Sequence, residues 1–189
     1  MENNKKISIS GINNRYQIKK LVQERKDEEK QRIVVQSWTL SNEYYLCSKQ
    51  LLILPQLIQY FNLKEEKKPD YICIFIQEIE RKISSYRQQD LIKSILNPDK
   101  FICFPFVIEK LIECSMKCFY CQCNMLVIYK NIREPKQWSV DRVNNFNGHN
   151  KDNIVLSCLD CNLKRRNKSK DSFLFTKQLK IVREDFDEK

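Results

Sequence analysis

The chain has 189 residues, 42% of them hydrophobic and 31% charged, which excludes a disordered solvating tail and leaves room for one sizeable domain or two small ones. The longest apolar stretch, Tyr44 to Phe61, is interrupted by Lys49, Gln50, Pro55, Gln56 and Gln59, so no membrane-spanning helix is expected. A net charge of +10 points to polyanions, nucleic acid or an anionic membrane surface, without choosing between them.

The chain opens MENNKK, with no apolar run leading to small residues, which argues against a secretory signal and for an intracellular, reducing setting. Residues 1–35 are polar, with the mixed run 23–30 carrying few apolar anchors; they read as a surface helix or an arm. Residues 36–100 read as helical. One helix covers Tyr44 to Phe61 with a break expected at Pro55, and the charged run before Pro69 reads as a solvated connection. A second helix carries Ile76, Ile79, Ile83 and Tyr86 at helical spacing, a stripe that belongs to the core.

From Phe101 the texture changes. A short helix is expected over Val107 to Glu113, then clustered cysteines, then a β-like run from Met125 to Tyr129. Nine cysteines in a short secreted chain would suggest disulfides, but four of these form the pairs Cys118-Phe-Tyr-Cys121 and Cys158-Leu-Asp-Cys161. Two tight knuckles offering four thiolates suit tetrahedral Zn²⁺. With the shell filled by sulfur, such a zinc holds the fold and does no hydrolysis. Cys123 leaves some ambiguity of register. Cys47, Cys73, Cys103 and Cys114 stand among apolar neighbours and read as small hydrophobes.

Between the knuckles, Gln137 to Val143 alternates as a strand does, with Trp138, Val140 and Arg142 on one face and Ser139, Asp141 and Val143 on the other. A polar loop, Asn144 to Asn150, leads to a second strand at Ile154-Val155-Leu156. After the second knuckle, Asn162 to Arg166 should be helical, with Asn162 on its first turn. Strand, strand and helix make a ββα unit.

These elements resemble the HNH (ββα-metal) endonucleases, in particular the branch with paired Cys-x-x-Cys knuckles found among phage and large DNA virus proteins. The matching residues are Cys118 and Cys121, Asp141 at a strand end, Gly148-His149, Asp152-Asn153, and Cys158-x-x-Cys161-Asn162 followed by basic residues. They span about residues 101–175, and the domain is taken as 101–185. The resemblance implies an α+β chain, with a helical N-terminal region ahead of a zinc-stapled nuclease domain. It also implies a catalytic Mg²⁺ or Mn²⁺ held by Asp141 and Asn162, with Asn153 bracing the hairpin loop. Singly, Asp141 also reads as a turn residue, Asn162 as a helix cap and Asn153 as an ordinary loop residue.

The family's usual Asp-His stands here as Asp141-Arg142. Arginine stays protonated and cannot serve as the base, though it can hold a phosphate or developing charge. His149, the one histidine, becomes the candidate base, with an exposed loop residue as the alternative; Asn144 is a second candidate, to orient a water. From Leu163 to Arg183 there are eight Lys or Arg against the single acid Asp171. Among them Lys164, Arg165, Arg166, Lys168 and Lys170 are expected to contact nucleic acid, double-stranded DNA above all. Three functions stand open: a metal-dependent endonuclease, a non-catalytic zinc module that binds nucleic acid, and a zinc-stabilised interaction protein.

Overall fold

The computed structural model describes residues 30–64 and 67–178, and everything below lies in one compact unit, Gln31–Lys189. Residues 1–29 of the expected arm, the connection at residues 65–66 and the basic residues Lys180 and Arg183 lie outside the described residues. The described end of that arm is anchored. Arg32 is ion-paired to the buried Glu78 at 2.7 Å and lies over the Trp38 and Tyr129 rings, and Ile33–Ser37 form a 3-10 turn.

Helix α1, Cys47–Phe61, does not break at Pro55. Pro55 sits on the exposed face, while Ile53, Leu54 and Leu57 are fully buried on the other. Burying three aliphatic side chains is worth about 1.5–3 kcal/mol each, more than the roughly 3 kcal/mol that a proline costs inside a helix. Helix α2, Asp70–Ile92, begins after Pro69 with an acid in its first turn, where the helix dipole favours one. Its buried stripe runs Ile72, Phe75, Ile76, Ile79, with Ile83 and Tyr86 packed against the core, and ends in a carboxylate, Asp90, with no exposed surface. Helix α3, Phe104–Glu113, carries Pro105 in its first turn, the position whose missing N–H goes unused. Phe61 of α1 stacks on Phe104 of α3 with ring centroids 4.2 Å apart.

The run Met125 to Tyr129 is not a strand. It makes a single bridge, Leu126 to Gln137, although Met125, Val127, Ile128 and Tyr129 are buried. A buried irregular segment must still satisfy its backbone, and Gln50 of α1 does this. Its side-chain oxygen accepts from the Val127 and Ile128 N–H groups at 2.7 and 3.2 Å, and its amide donates to the Ile128 carbonyl.

Strands β1, Trp138–Arg142, and β2, Ile154–Cys158, pair antiparallel in the register Trp138 to Cys158, Val140 to Leu156 and Arg142 to Ile154. Helix α4, Leu159–Arg165, follows at once, and α5, Lys170–Gln178, closes the described chain. The chain is thus α+β: helices and a small two-stranded sheet. Both faces of β1 are covered, since Trp138, Ser139, Val140 and Asp141 are all buried. The alternation expected along this strand therefore separates two buried faces. Contacts also cross residue 100, where a domain boundary was expected: Lys82 of α2 donates to the Trp138 carbonyl, and the Val140 N–H donates to Tyr86 Oη at 3.0 Å.

Candidate metal centre and adjoining pocket

The sulfur atoms of Cys118, Cys121, Cys158 and Cys161 all lie within 4.8 Å of one another, with Cys121 and Cys158 3.8 Å apart. A tetrahedron with metal–sulfur bonds of about 2.3 Å has edges of about 3.8 Å, so this set could hold a metal such as zinc. Two turns shape it. The Gln122 N–H donates back to the Cys118 carbonyl in the first knuckle, with Gln122 at φ 58°, and in the second the Cys158 sulfur caps α4 by accepting from the Cys161 N–H. The hydrogen bond from Cys158 lowers the pKa of the Cys118 thiol, whereas burial raises that of Cys161. Crowded thiolates repel, so all four ionise together only around a cation. Cys123 lies beside the set, its carbonyl accepting from the Cys118 N–H, and is not one of the four.

Next to this centre, β1, the hairpin loop, α4 and the end of α2 enclose a pocket of about 200 Å³, lined in part by Asp141, Arg142, His149, Asn162, Arg165 and Arg166. Residues 21 positions apart meet here because α4 leaves β2 directly and turns back over β1.

Asp141 is buried and accepts three hydrogen bonds. Its Oδ2 accepts from Arg165 Nε at 2.5 Å and from the Tyr120 hydroxyl at 2.6 Å, and its Oδ1 accepts from Arg165 Nη2 at 2.7 Å. Burial, then this carboxylate, pushes the Tyr120 phenol far above its ordinary range, so it stays a donor. Arg165 also donates to the carbonyls of Arg142 and Lys168. Expected on the exposed basic face, Arg165 is instead 2% exposed, its guanidinium consumed by the β1 end. Lys164, Arg166 and Lys168 are exposed; Lys164 pairs with Asp160 at 2.8 Å, and the half-buried Lys170 lies 3.8 Å from Asp171.

Asn162 donates through Nδ2 to Ser139 Oγ and the Val140 carbonyl, and no described residue donates to its Oδ1. Arg142 donates to the Asn145 and Asn147 carbonyls, at 3.2 and 3.3 Å. Asn153 ties the loop: its Nδ2 reaches the carbonyls of Asn144, Asn147 and Gly148, and its Oδ1 accepts from the Asn144 N–H. The Asn144 side chain is itself taken up by the Phe146 N–H.

His149 is neither exposed nor alone in its loop. It is 3% exposed, its Nδ1 is 2.8 Å from Asp90 Oδ1, and its ring lies 4.6 Å from that of Tyr86. Burial lowers its pKa from the ordinary 6.5, outweighing the opposing pull of Asp90. Asp90, Tyr86, Tyr120 and the pairing role of Arg165 were not picked out as site residues from the sequence. Asp90 had a signal: it stands four residues after Tyr86, so a charge falls on the apolar stripe of α2.

The oxygen donors of the pocket suit a divalent ion of the Mg²⁺ kind in chemistry. Asp141 Oδ1 accepts one hydrogen bond and Asn162 Oδ1 none among the described residues. The charge balance is less favourable to a cation, because Arg165 already compensates the one carboxylate and Arg142 and Arg166 line the same space. No family model matches this chain, and no curated protein or solved structure matches it.

Proposed function

We propose that the chain is an endonuclease of the HNH kind, hydrolysing phosphodiester bonds in nucleic acid, double-stranded DNA above all. The observation that carries the reading is the meeting of Asp141, Asn162, His149 and Arg142 in one pocket on a strand–strand–helix unit beside four clustered cysteines. Cys118, Cys121, Cys158 and Cys161 are the residues that would hold zinc, which would tie the knuckle after α3 to the junction of β2 and α4. Asp141 and Asn162, through their Oδ1 atoms, are the residues that would hold Mg²⁺ or Mn²⁺, and such an ion supplies stabilisation of the leaving oxygen. Arg165 and Tyr120 fix the Asp141 carboxylate in place. His149, its pKa lowered by burial, takes the proton of the attacking water. Arg142 and Arg166 offer planar donors to the phosphate oxygens, and Lys164 and Lys168 lie exposed for the flanking backbone.

A second reading, a zinc-stapled module that binds nucleic acid without cleaving it, is favoured by the Asp141–Arg165 ion pair and the surplus of guanidinium groups in the pocket. Incubating supercoiled plasmid with wild type and Asn162→Ala, in Mg²⁺, Mn²⁺ or EDTA, separates the two. The nuclease reading expects metal-dependent nicking that Asn162→Ala abolishes with zinc content unchanged. Binding without nicking by wild type in either metal establishes the second reading instead.

A further inference from the structure

Helix α2 lies outside the strand–strand–helix unit, yet its last turn reaches the pocket. Asp90 there has no exposed surface and receives two bonds from one residue: His149 Nδ1 at 2.8 Å from Oδ1, and the His149 backbone N–H at 2.5 Å from Oδ2. The loop is cut to fit. A Cβ on Gly148 would lie 2.7 Å from Asp90 Oδ2 and 2.7 Å from the Ile95 carbonyl oxygen, so only glycine lets the chain come this near the carboxylate. Tyr86, one turn earlier on α2, packs its ring against the imidazole while its hydroxyl accepts from the Val140 N–H. The Ile102 N–H, just before α3, holds the His149 carbonyl. Two contacts therefore fix the ring, from Asp90 and Tyr86, and two fix its backbone, from Asp90 and Ile102, while Nε2 has no partner among the described residues and is not sealed from solvent.

We propose that Asp90 is a positioning residue: it holds His149 as the Nδ1–H tautomer, with the unprotonated Nε2 presented to the pocket as the proton acceptor. A carboxylate has no proton to give, so the neutral ring facing it must donate from Nδ1, and the lone pair is left on Nε2. This rests on the nuclease reading for its catalytic consequence. Water gives a proton to Nε2 as its oxygen bonds to phosphorus; the bond from phosphorus to the leaving oxygen breaks. That oxygen takes a proton from solvent, and Nε2 returns its own. Charged groups around the ring are Asp90 from α2, Lys93 just after it and Arg142 from β1. The two cations oppose a lasting imidazolium, which favours that return.

Asp90→Asn is the discriminating change, because the amide has one acceptor where the carboxylate has two. Its oxygen serves the His149 N–H, and its NH₂ then faces Nδ1, which must accept; the ring proton moves to Nε2 and the base is lost. With a single histidine in the chain, ¹⁵N-histidine labelling gives one ring to follow. Wild type is expected as the Nδ1–H tautomer and Asp90→Asn as Nε2–H. Plasmid nicking by Asp90→Asn is expected to fall at least about 10²-fold in kcat with KM within about threefold, matching His149→Ala, and the double variant should be no slower than either. An Nε2–H ring in wild type overturns the proposal whether or not Asp90→Asn folds. So does nicking by Asp90→Asn within threefold of wild type. A wild type with the Nδ1–H ring and no nicking overturns the nuclease reading and the ring's catalytic role, and leaves Asp90 as its orienting partner.

Discussion

Arg165→Ala isolates the contact on which the β1 end depends. The pair it forms with Asp141 is buried on both sides, with side chains 3% and 4% exposed, and is two-pronged at 2.5 and 2.7 Å. Removing the guanidinium leaves a buried carboxylate with Tyr120 as its remaining donor among the described residues and frees the Arg142 and Lys168 carbonyls. Breaking a buried pair from one side costs about 3–5 kcal/mol. At about 2–4 °C per kcal/mol for a chain of this size, the melting temperature should fall by about 6–20 °C. Arg165→Lys keeps the charge but not the fork, and should recover part of the loss. Chemical denaturation of wild type, Arg165→Ala, Asp141→Ala and the double variant gives the coupling directly. Coupling below about 0.5 kcal/mol, or a single-variant loss of under 1 kcal/mol, refutes the ion pair as the organiser of this end of the strand.

Other expectations follow from the same geometry. Purified protein should carry one zinc per chain, and chelation should unfold the region from residue 118 on; a metal-free protein whose melting is indifferent to chelator refutes the site. Replacing Lys164, Arg166 and Lys168 by Ala should flatten the dependence of log affinity for DNA on log salt by up to about 3, roughly 0.9 per phosphate contact, and an unchanged slope returns them to a solvated face. Because burial depresses His149, the unfolded chain binds its proton first as pH falls below about 6.5, so stability drops through that window. His149→Gln should remove that part of the pH dependence, as read from unfolding free energies at pH 7 and pH 5. A fragment beginning at residue 101 should bind zinc yet lose cooperative unfolding, since Gln50 no longer serves the Val127 and Ile128 N–H groups; a fragment melting like the full chain contradicts this.

What could be read from the sequence was local. Cys-x-x-Cys is a turn, its geometry set by four residues, so the cluster of four thiols follows from spacing once the two turns meet. The hairpin and the helix after it were legible for the same reason. Arg165 was misplaced on the surface, although the argument that put Asn162 on the inner face of α4 applies to it: residues three apart share a helix face. The run Met125 to Tyr129 misled because its apolar residues do go inside, while its hydrogen bonds go to a glutamine 77 residues earlier. Pro55 misled because a helix interior tolerates proline where burial on the opposite face outweighs the lost bond. Asp90 and His149, 59 positions apart, meet only through packing of α2 on the hairpin loop, which no local pattern encodes.

That distance bears on what the helical region does. Arg142 has no lone pair to offer, so a proton acceptor in this pocket must come from elsewhere. His149 lies on the loop between the strands, and a loop side chain holds a fixed direction only if something rigid grips it. Asn153 grips the loop backbone from within the hairpin, but does not touch the ring. The ring is gripped from α2, by Asp90 at its edge and Tyr86 at its face, and α2 is in turn fastened to β1 through Tyr86 and Lys82. Helix α2 is therefore not an appendage. Its Tyr86 and Gln89 line the pocket, and it supplies the constraint that the strand–strand–helix unit lacks.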